Sequence, residues 1–251
     1  MKKLPRKSDQ PSAKQVWRKP RFSREVAILY EDDGVVAVNK PPGLLAVPVA
    51  GSDAPSALSL LAAELKQKRQ RVFVVHRIDR FASGVLLFAK TQRDREVLVR
   101  QFLSHTPLRQ YDALVRGHMS AKQATLVHYF RRDGMFQKLS TARDSKAARA
   151  ELLYSVEREL RDASLLRVTL VTGLQNQIRV QFSAIGHPVI GDRKYHPAEA
   201  DERRISRVAL HASRLQFVHP RLGDAISIEC GFPPDFRSLV HALQPPSRSP
   251  R

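Results

Sequence analysis

A single acidic side chain, Asp79, lies between two arginines in the segment His76-Arg77-Ile78-Asp79-Arg80-Phe81-Ala82-Ser83-Gly84. The apolar run Val72–Val75 precedes it and Val85–Ala89 follows it, and each reads as a short buried strand. A polar, Gly-containing turn clamped between two buried strands is a rigid place to hold a reactive group. A carboxylate kept ionised there can act as a nucleophile or take a proton. The plainer reading is a solvated ion pair worth well under ~1 kcal/mol, and spacing alone does not separate the two.

The elements that must position this turn can be read along the chain. Val26–Tyr30 and Val35–Val38 form a strand pair across Glu31-Asp32-Asp33-Gly34. Asn39-Lys40-Pro41-Pro42-Gly43 then breaks the second strand. Ser56–Lys68 has helical apolar spacing with Ser56 as N-cap, and Thr91–Leu103 is a second helix. Arg109–Gly117 alternates as a strand. Residues 118–146 read as two edge strands. Their Arg131, Arg132, Lys138, Arg143 and Lys146 interleave with Tyr129, Phe130 and Phe136, a mixture able to track a nucleic-acid strand, although ordinary solvated charge explains it more simply. Ala150–Val156 and Leu165–Val171 are long strands turning at Arg161-Asp162. Thr172-Gly173-Leu174-Gln175 has the form of a capping box, so a helix is expected from there, stopped by Gly186 and Pro188. Ile178-Val180-Phe182-Ala184 would also suit a strand, and the cap and the stop decide for the helix. Val208–Val218 and Ala225–Cys230 are strands, and Pro233–Leu243 is a closing helix with Pro in its first turn.

Composition narrows the partner. The 251 residues carry a formal charge of +19, with 42% apolar content, enough for a real core. Such charge favours a polyanion. Residues 1–25 hold nine Lys or Arg against Asp9 and Glu25, and read as a disordered basic arm that either lies along phosphates or simply solubilises the chain. Residues 244–251 read as a second disordered tail, leaving 26–243 as one catalytic-sized domain. No apolar run approaches the ~20 residues that span a bilayer. The single cysteine, Cys230, and the scattered histidines offer no disulfide or metal set. A cytoplasmic chain without metal or cofactor is expected, and no membrane partner.

The segment from His76 to Lys90 closely resembles the catalytic signature of the RluA-type RNA pseudouridine synthases, His-Arg-Leu-Asp followed after two residues by Thr-Ser-Gly and an apolar strand. Ala82 stands where that family usually has Thr. Further segments match in family order: Lys40-Pro41-Pro42-Gly43; Arg109-Gln110-Tyr111 through Gly117; Gln177-Ile178-Arg179-Val180 with Gly186-His187-Pro188-Val189-Ile190-Gly191-Asp192; and Leu210-His211-Ala212 with His219-Pro220. The match covers most of residues 26–243. It departs at Gly173-Leu174-Gln175-Asn176, where the family usually has Gly-Arg-Thr-His.

The resemblance implies an α+β fold: a mixed, largely antiparallel sheet with flanking helices and a central basic cleft. It implies isomerisation of uridine to pseudouridine in structured ribosomal or transfer RNA; a monomer is expected. Asp79 would be the nucleophile. A carboxylate in a closed, dry site tends to lose its charge, so Arg179 is expected to hold it through two hydrogen bonds of its planar fork. Tyr111 would stack the uracil and shuttle its proton. Leu210 would wall the base pocket. Arg77 and Arg80 would hold phosphates or fill the gap left by the flipped base, with Lys40 as a further phosphate contact. Two rivals remain from the residues themselves. One is a non-catalytic RNA-binding or ribosome-assembly factor, supported by the change at 174–176. The other is glycosidic hydrolysis, which usually needs a second carboxylate, and no convincing partner for Asp79 is evident.

Overall fold

The computed structural model describes residues 25–134, 136–196 and 204–245. The arm expected over 1–25 and the tail over 244–251 fall outside them, apart from Glu25, Gln244 and Pro245.

In chain order the strands are β1 (Ala27–Glu31), β2 (Val35–Lys40), β3 (Phe73–Val74), β4 (Ser83–Ala89), β5 (Leu108–Arg116), β6 (Gln123–Asp133), β7 (Phe136–Ser140), β8 (Ala148–Glu159), β9 (Ala163–Leu170), β10 (Leu210–Val218) and β11 (Ala225–Glu229). The helices are α1 (Ala57–Gln67), α2 (Gln92–Leu103), α3 (Gln177–Ala184) and α4 (Pro234–Ala242). All the strands belong to one sheet, ordered β1-β2-β4-β10-β5-β9-β8-β6-β7, with β3 also on β4 and β11 on β10. Among the described residues only the β4–β10 strand pair is parallel, so the sheet is mixed and largely antiparallel, as the resemblance implied.

Local chemistry explains the elements that frame the cleft. Asp32 makes the first hairpin by accepting from the backbone N–H groups of Gly34 and Val35 at 2.7 and 2.8 Å. Ser56 and Thr91 cap α1 and α2 by accepting from the N–H three residues on. Strand β4 is buried on both faces because helices cover both. Leu86 and Phe88 pack under α1 with Leu61 and Leu65. Val85, Leu87 and Ala89 pack on the other side with Leu98 of α2 and Ile228 of β11. A third cluster joins β5, β8 and β9 to Ile178 and Phe182 of α3 and to Phe236 and Leu239 of α4.

The parallel seam depends on one glycine. Gly84 has φ +109°, and a Cβ there would lie 2.1 Å from the Ala212 carbonyl oxygen, so no other residue allows β4 and β10 to close. Beside it the Ser83 hydroxyl bonds His211 Nδ1 at 2.9 Å while His211 Nε2 donates to the Cys230 carbonyl at 3.0 Å.

Two expectations are corrected here. The strand before the signature is shorter than Val72–Val75, because only Phe73 and Val74 pair with β4. Thr172 does not open a helix. Its hydroxyl accepts from Glu151 N–H at 2.8 Å and donates to Gln177 Oε1 at 2.9 Å. The helix begins only at Gln177, after Asn176, which sits in the left-handed region at φ 56° and makes no side-chain cap. The threonine's bonding was read as local, whereas it ties the loop to a strand twenty-one residues earlier.

Candidate active site

Asp79 lies on the turn between β3 and β4, and that turn is held from beneath. The Asp79 carbonyl accepts from Ala82 N–H at 3.2 Å, and the Arg80 carbonyl from Gly43 N–H at 2.8 Å. Under it Lys40, wholly buried, donates from Nζ to the carbonyls of Pro41 and Leu44, both at 2.9 Å, of Arg80 at 3.1 Å and of Ala82 at 2.7 Å. Burial pushes the Lys40 ammonium down to about 7, against the opposing pull of the Asp79 charge. Lys40 is therefore not the phosphate contact expected of it. Its charge is spent on the carbonyls that shape the Asp79 turn, and no part of it faces solvent.

Arg179 projects from α3 and reaches Asp79, with Nη1 3.4 Å from Oδ2. The two-bonded fork, however, is made elsewhere. Nε and Nη2 donate to Oδ2 and Oδ1 of Asp192, both at 2.7 Å. Nη1 also donates to Asn176 Oδ1 at 2.9 Å, and the guanidinium lies over the Tyr195 ring, 5.2 Å from its centroid. Burial alone would lower the Arg179 pKa; the bonds and charge of Asp192, then those of Asp79, more than reverse this and raise it. The expected fork onto Asp79 is thus a single long contact from a cation oriented by a different acid. Asp192 was visible only as the end of a matching segment, and Asn176 only as part of the departure from it.

A cleft of about 570 Å³ opens above this base. Asp79, Tyr111, Leu210 and Arg77 all line it, together with the end of α2, the loop 173–176 and the start of α3. Leu210 is buried and supplies apolar wall. The Tyr111 hydroxyl has no hydrogen-bond partner among the described residues. Burial pushes that phenol up to about 12; Arg109 pulls it back and Asp79 adds to the rise. Arg80 is not part of the lining: its Nε donates to the Gly43 carbonyl at 2.9 Å and its guanidinium lies over Phe81 at 5.4 Å. The second carboxylate that hydrolysis would need is Asp192, but it is 1% exposed and fully engaged by Arg179 and by the N–H groups of Lys194 and Tyr195.

The open mixed sheet thus carries a central cleft that joins a turn-borne aspartate, a strand tyrosine and an arginine behind them. The family model described as RNA pseudouridylate synthase matches residues 34–184. The chain is 34% identical to an uncharacterized RNA pseudouridine synthase of Bacillus subtilis, covering 94% of this chain and 77% of that one. It is 33% identical to the ribosomal large subunit pseudouridine synthase D of Zymomonas mobilis, covering 88% and 74%. It is 31% identical to the dual-specificity RNA pseudouridine synthase RluA of Vibrio vulnificus, covering 88% and 90%. Among solved structures, human RNA pseudouridylate synthase domain containing 4 superposes with a TM-score of 0.72 at 22% identity, over 86% of this chain and 92% of that one, which shows the shared fold. The chain belongs to the RNA pseudouridylate synthase family. It is an RNA pseudouridine synthase, an isomerase, and among the described residues no helix is long and apolar enough to cross a membrane.

Proposed function

We propose that Asp79 is the nucleophile of this isomerase and that Tyr111, Arg179 and Leu210 complete its site, with ribosomal or transfer RNA as the substrate. The observation that carries this reading is the Arg179–Asp79 contact at 3.4 Å beneath a cleft lined by Tyr111 and Leu210. The reaction breaks the bond from ribose C1′ to uracil N1 and rebuilds it to uracil C5. The base must leave its stack, detach without escaping and turn. Asp79 forms the bond to the base or to C1′, or removes a sugar proton; each route needs an ionised carboxylate, and Arg179 supplies the neighbouring positive charge.

Tyr111 gives the detached uracil a flat surface, worth ~1–3 kcal/mol per stacked base. At a pKa of about 12 its phenol stays protonated near neutrality. It therefore acts as a hydrogen-bond donor and hands on a proton only as it receives one. Leu210 excludes water from the far side. Arg77, exposed at the lining, meets the phosphates or fills the space the base leaves. The relative named for the large ribosomal subunit supports ribosomal RNA as one substrate class. We place the enzyme in the cytoplasm as a monomer, where its formal charge of +19 favours RNA as partner. The non-catalytic alternative leaves the trio of Asp79, Tyr111 and Arg179 without a use.

Pseudouridine mapping of ribosomal and transfer RNA, with and without the gene, should show one or a few uridines that depend on it. Asp79→Asn should fail to restore them and should lower turnover at least about 10³-fold; restoration by this variant would remove the nucleophile assignment. Tyr111→Phe keeps the ring and loses the hydroxyl. It should lower kcat about 10²-fold with KM little changed, and unchanged kcat would reduce the tyrosine to a platform.

A further inference from the structure

The cleft extends past Tyr111, away from Arg179, to the end of α2, where it is lined by His76, Phe102, His105 and Arg109. Arg109 is 8% exposed. Its Nη2 donates to the Val171 carbonyl at 2.9 Å and, at 3.5 Å, to that of Leu170. Its Nε is buried without any partner. No carboxylate pairs with it among the described residues, and burial lowers its pKa. Nη1 of the guanidinium comes up against Gly173, where a Cβ would lie only 2.5 Å from it.

His76 lies in the same part of the cleft. Its Nε2 accepts from Leu87 N–H at 3.1 Å, which leaves the ring proton on Nδ1, and Nδ1–H has no acceptor among the described residues. The ring stacks on Phe102 at 4.4 Å, and burial with the charge of Arg109 holds the imidazole neutral, its pKa down to about 3. The loop that closes this end carries Leu174 and Asn176 where the resembling family has Arg and His, so Arg109 is the cation that remains there.

A buried guanidinium without an acid is costly unless an anion completes it. An uncommitted ring N–H beside it offers a second donor to the same acceptor. We propose that Arg109 and His76 form a phosphate subsite that takes the backbone phosphate adjacent to the target uridine. Arg109 and Tyr111 share one face of β5, two residues apart, about 6.8 Å along an antiparallel strand. A single nucleotide can therefore lay its base on the tyrosine and its phosphate on the arginine. This subsite rests on the reading that Tyr111 receives the flipped uracil.

The test uses an RNA hairpin cut from the region in which mapping finds the modified uridine, with a neutral methylphosphonate at each linkage flanking that uridine in turn. With the wild-type enzyme one linkage should raise KM about tenfold while kcat stays nearly constant. Arg109→Gln should raise KM equally on the native hairpin and lose nothing further on the methylphosphonate. Its slope of log affinity against log salt should be shallower by about one, and Arg109→Lys should keep the wild-type slope. Insensitivity at both linkages would overturn the subsite on the wild-type protein alone. So would an Arg109→Gln variant that loses kcat with KM and salt slope intact, since that pattern belongs to a support for the 171–176 loop. Affinities measured in the Asp79→Asn background separate the two readings. If that variant turns over, the nucleophile fails while the phosphate coupling still stands or falls by itself.

Discussion

The two walls of the cleft are built by different means. The Asp79 wall is held by backbone carbonyls gathered on one side chain: four of them converge on the Lys40 ammonium, and Gly84 lets β4 lie against β10. The opposite wall, from Val171 to Asn176, adds a network of several side chains to the backbone bonds that Val171 and Thr172 N–H make to the Glu151 carbonyl, both at 3.1 Å. Thr172 and Gln177 bind each other and both bind Glu151, Asn176 holds Arg179, and Asp192 orients it. The backbone-held wall is also the one that matches the family signature almost residue for residue; the wall held by side chains is where the chain departs from it. A wall whose carbonyls gather on one buried lysine hangs on that single side chain and leaves its other positions free of bonding duty, whereas a wall fixed through several side chains can change composition only if its bonding partners change with it.

That contrast can be broken at three points. Asp192→Asn attacks the side-chain wall at its most buried ion pair. It should cost about 3–5 kcal/mol in urea unfolding, because the guanidinium loses its main counter-charge inside the protein, and single-turnover rates should fall as Arg179 reorients. A stable, active variant would show that Asn176 and Asp79 suffice to place Arg179. Lys40→Met keeps the stem and removes the ammonium under the other wall. A loss of about 2–3 kcal/mol is expected from the stranded carbonyls, with a lower kcat because the Asp79 turn loosens; unchanged values would mean the turn holds itself. Asn176→Ala should have the smallest effect, about 1–2 kcal/mol, because alanine lacks the short polar side chain with which asparagine tolerates the left-handed region. Asn176→Gly isolates the side chain, since glycine carries no such penalty. If the glycine variant recovers stability but not rate, the amide serves Arg179; if it recovers both, only the backbone matters.

The same contrast explains what could be read beforehand. The hairpin at Asp32-Asp33-Gly34 and the cap at Ser56 are written in neighbouring residues, and the structure has them; β5 is the strand expected, although its middle, Tyr111–Val115, is buried throughout rather than alternating. The grouping of Asp79, Tyr111 and Leu210 around one cleft followed from the family signature. What escaped depends on partners distant in sequence. Thr172 looked like a cap because its neighbours suit one, and nothing local announces Glu151. Lys40 read as a phosphate contact after a strand, because burial beneath a turn forty residues away leaves no trace in its own segment. Asp192 is an ordinary turn residue until α3 brings Arg179 to it.

The acid and its cationic neighbour stand 100 positions apart along the chain, and the neighbour is itself aimed by a residue a further thirteen on. Contacts of such separation form slowly and late, because long loops must close before they are rewarded. A polypeptide still emerging from its own synthesis, complete through the signature turn but not through Asp192, carries Asp79 without the arginine aimed at it. On the proposed roles of these residues, competence for chemistry is tied to the finished molecule.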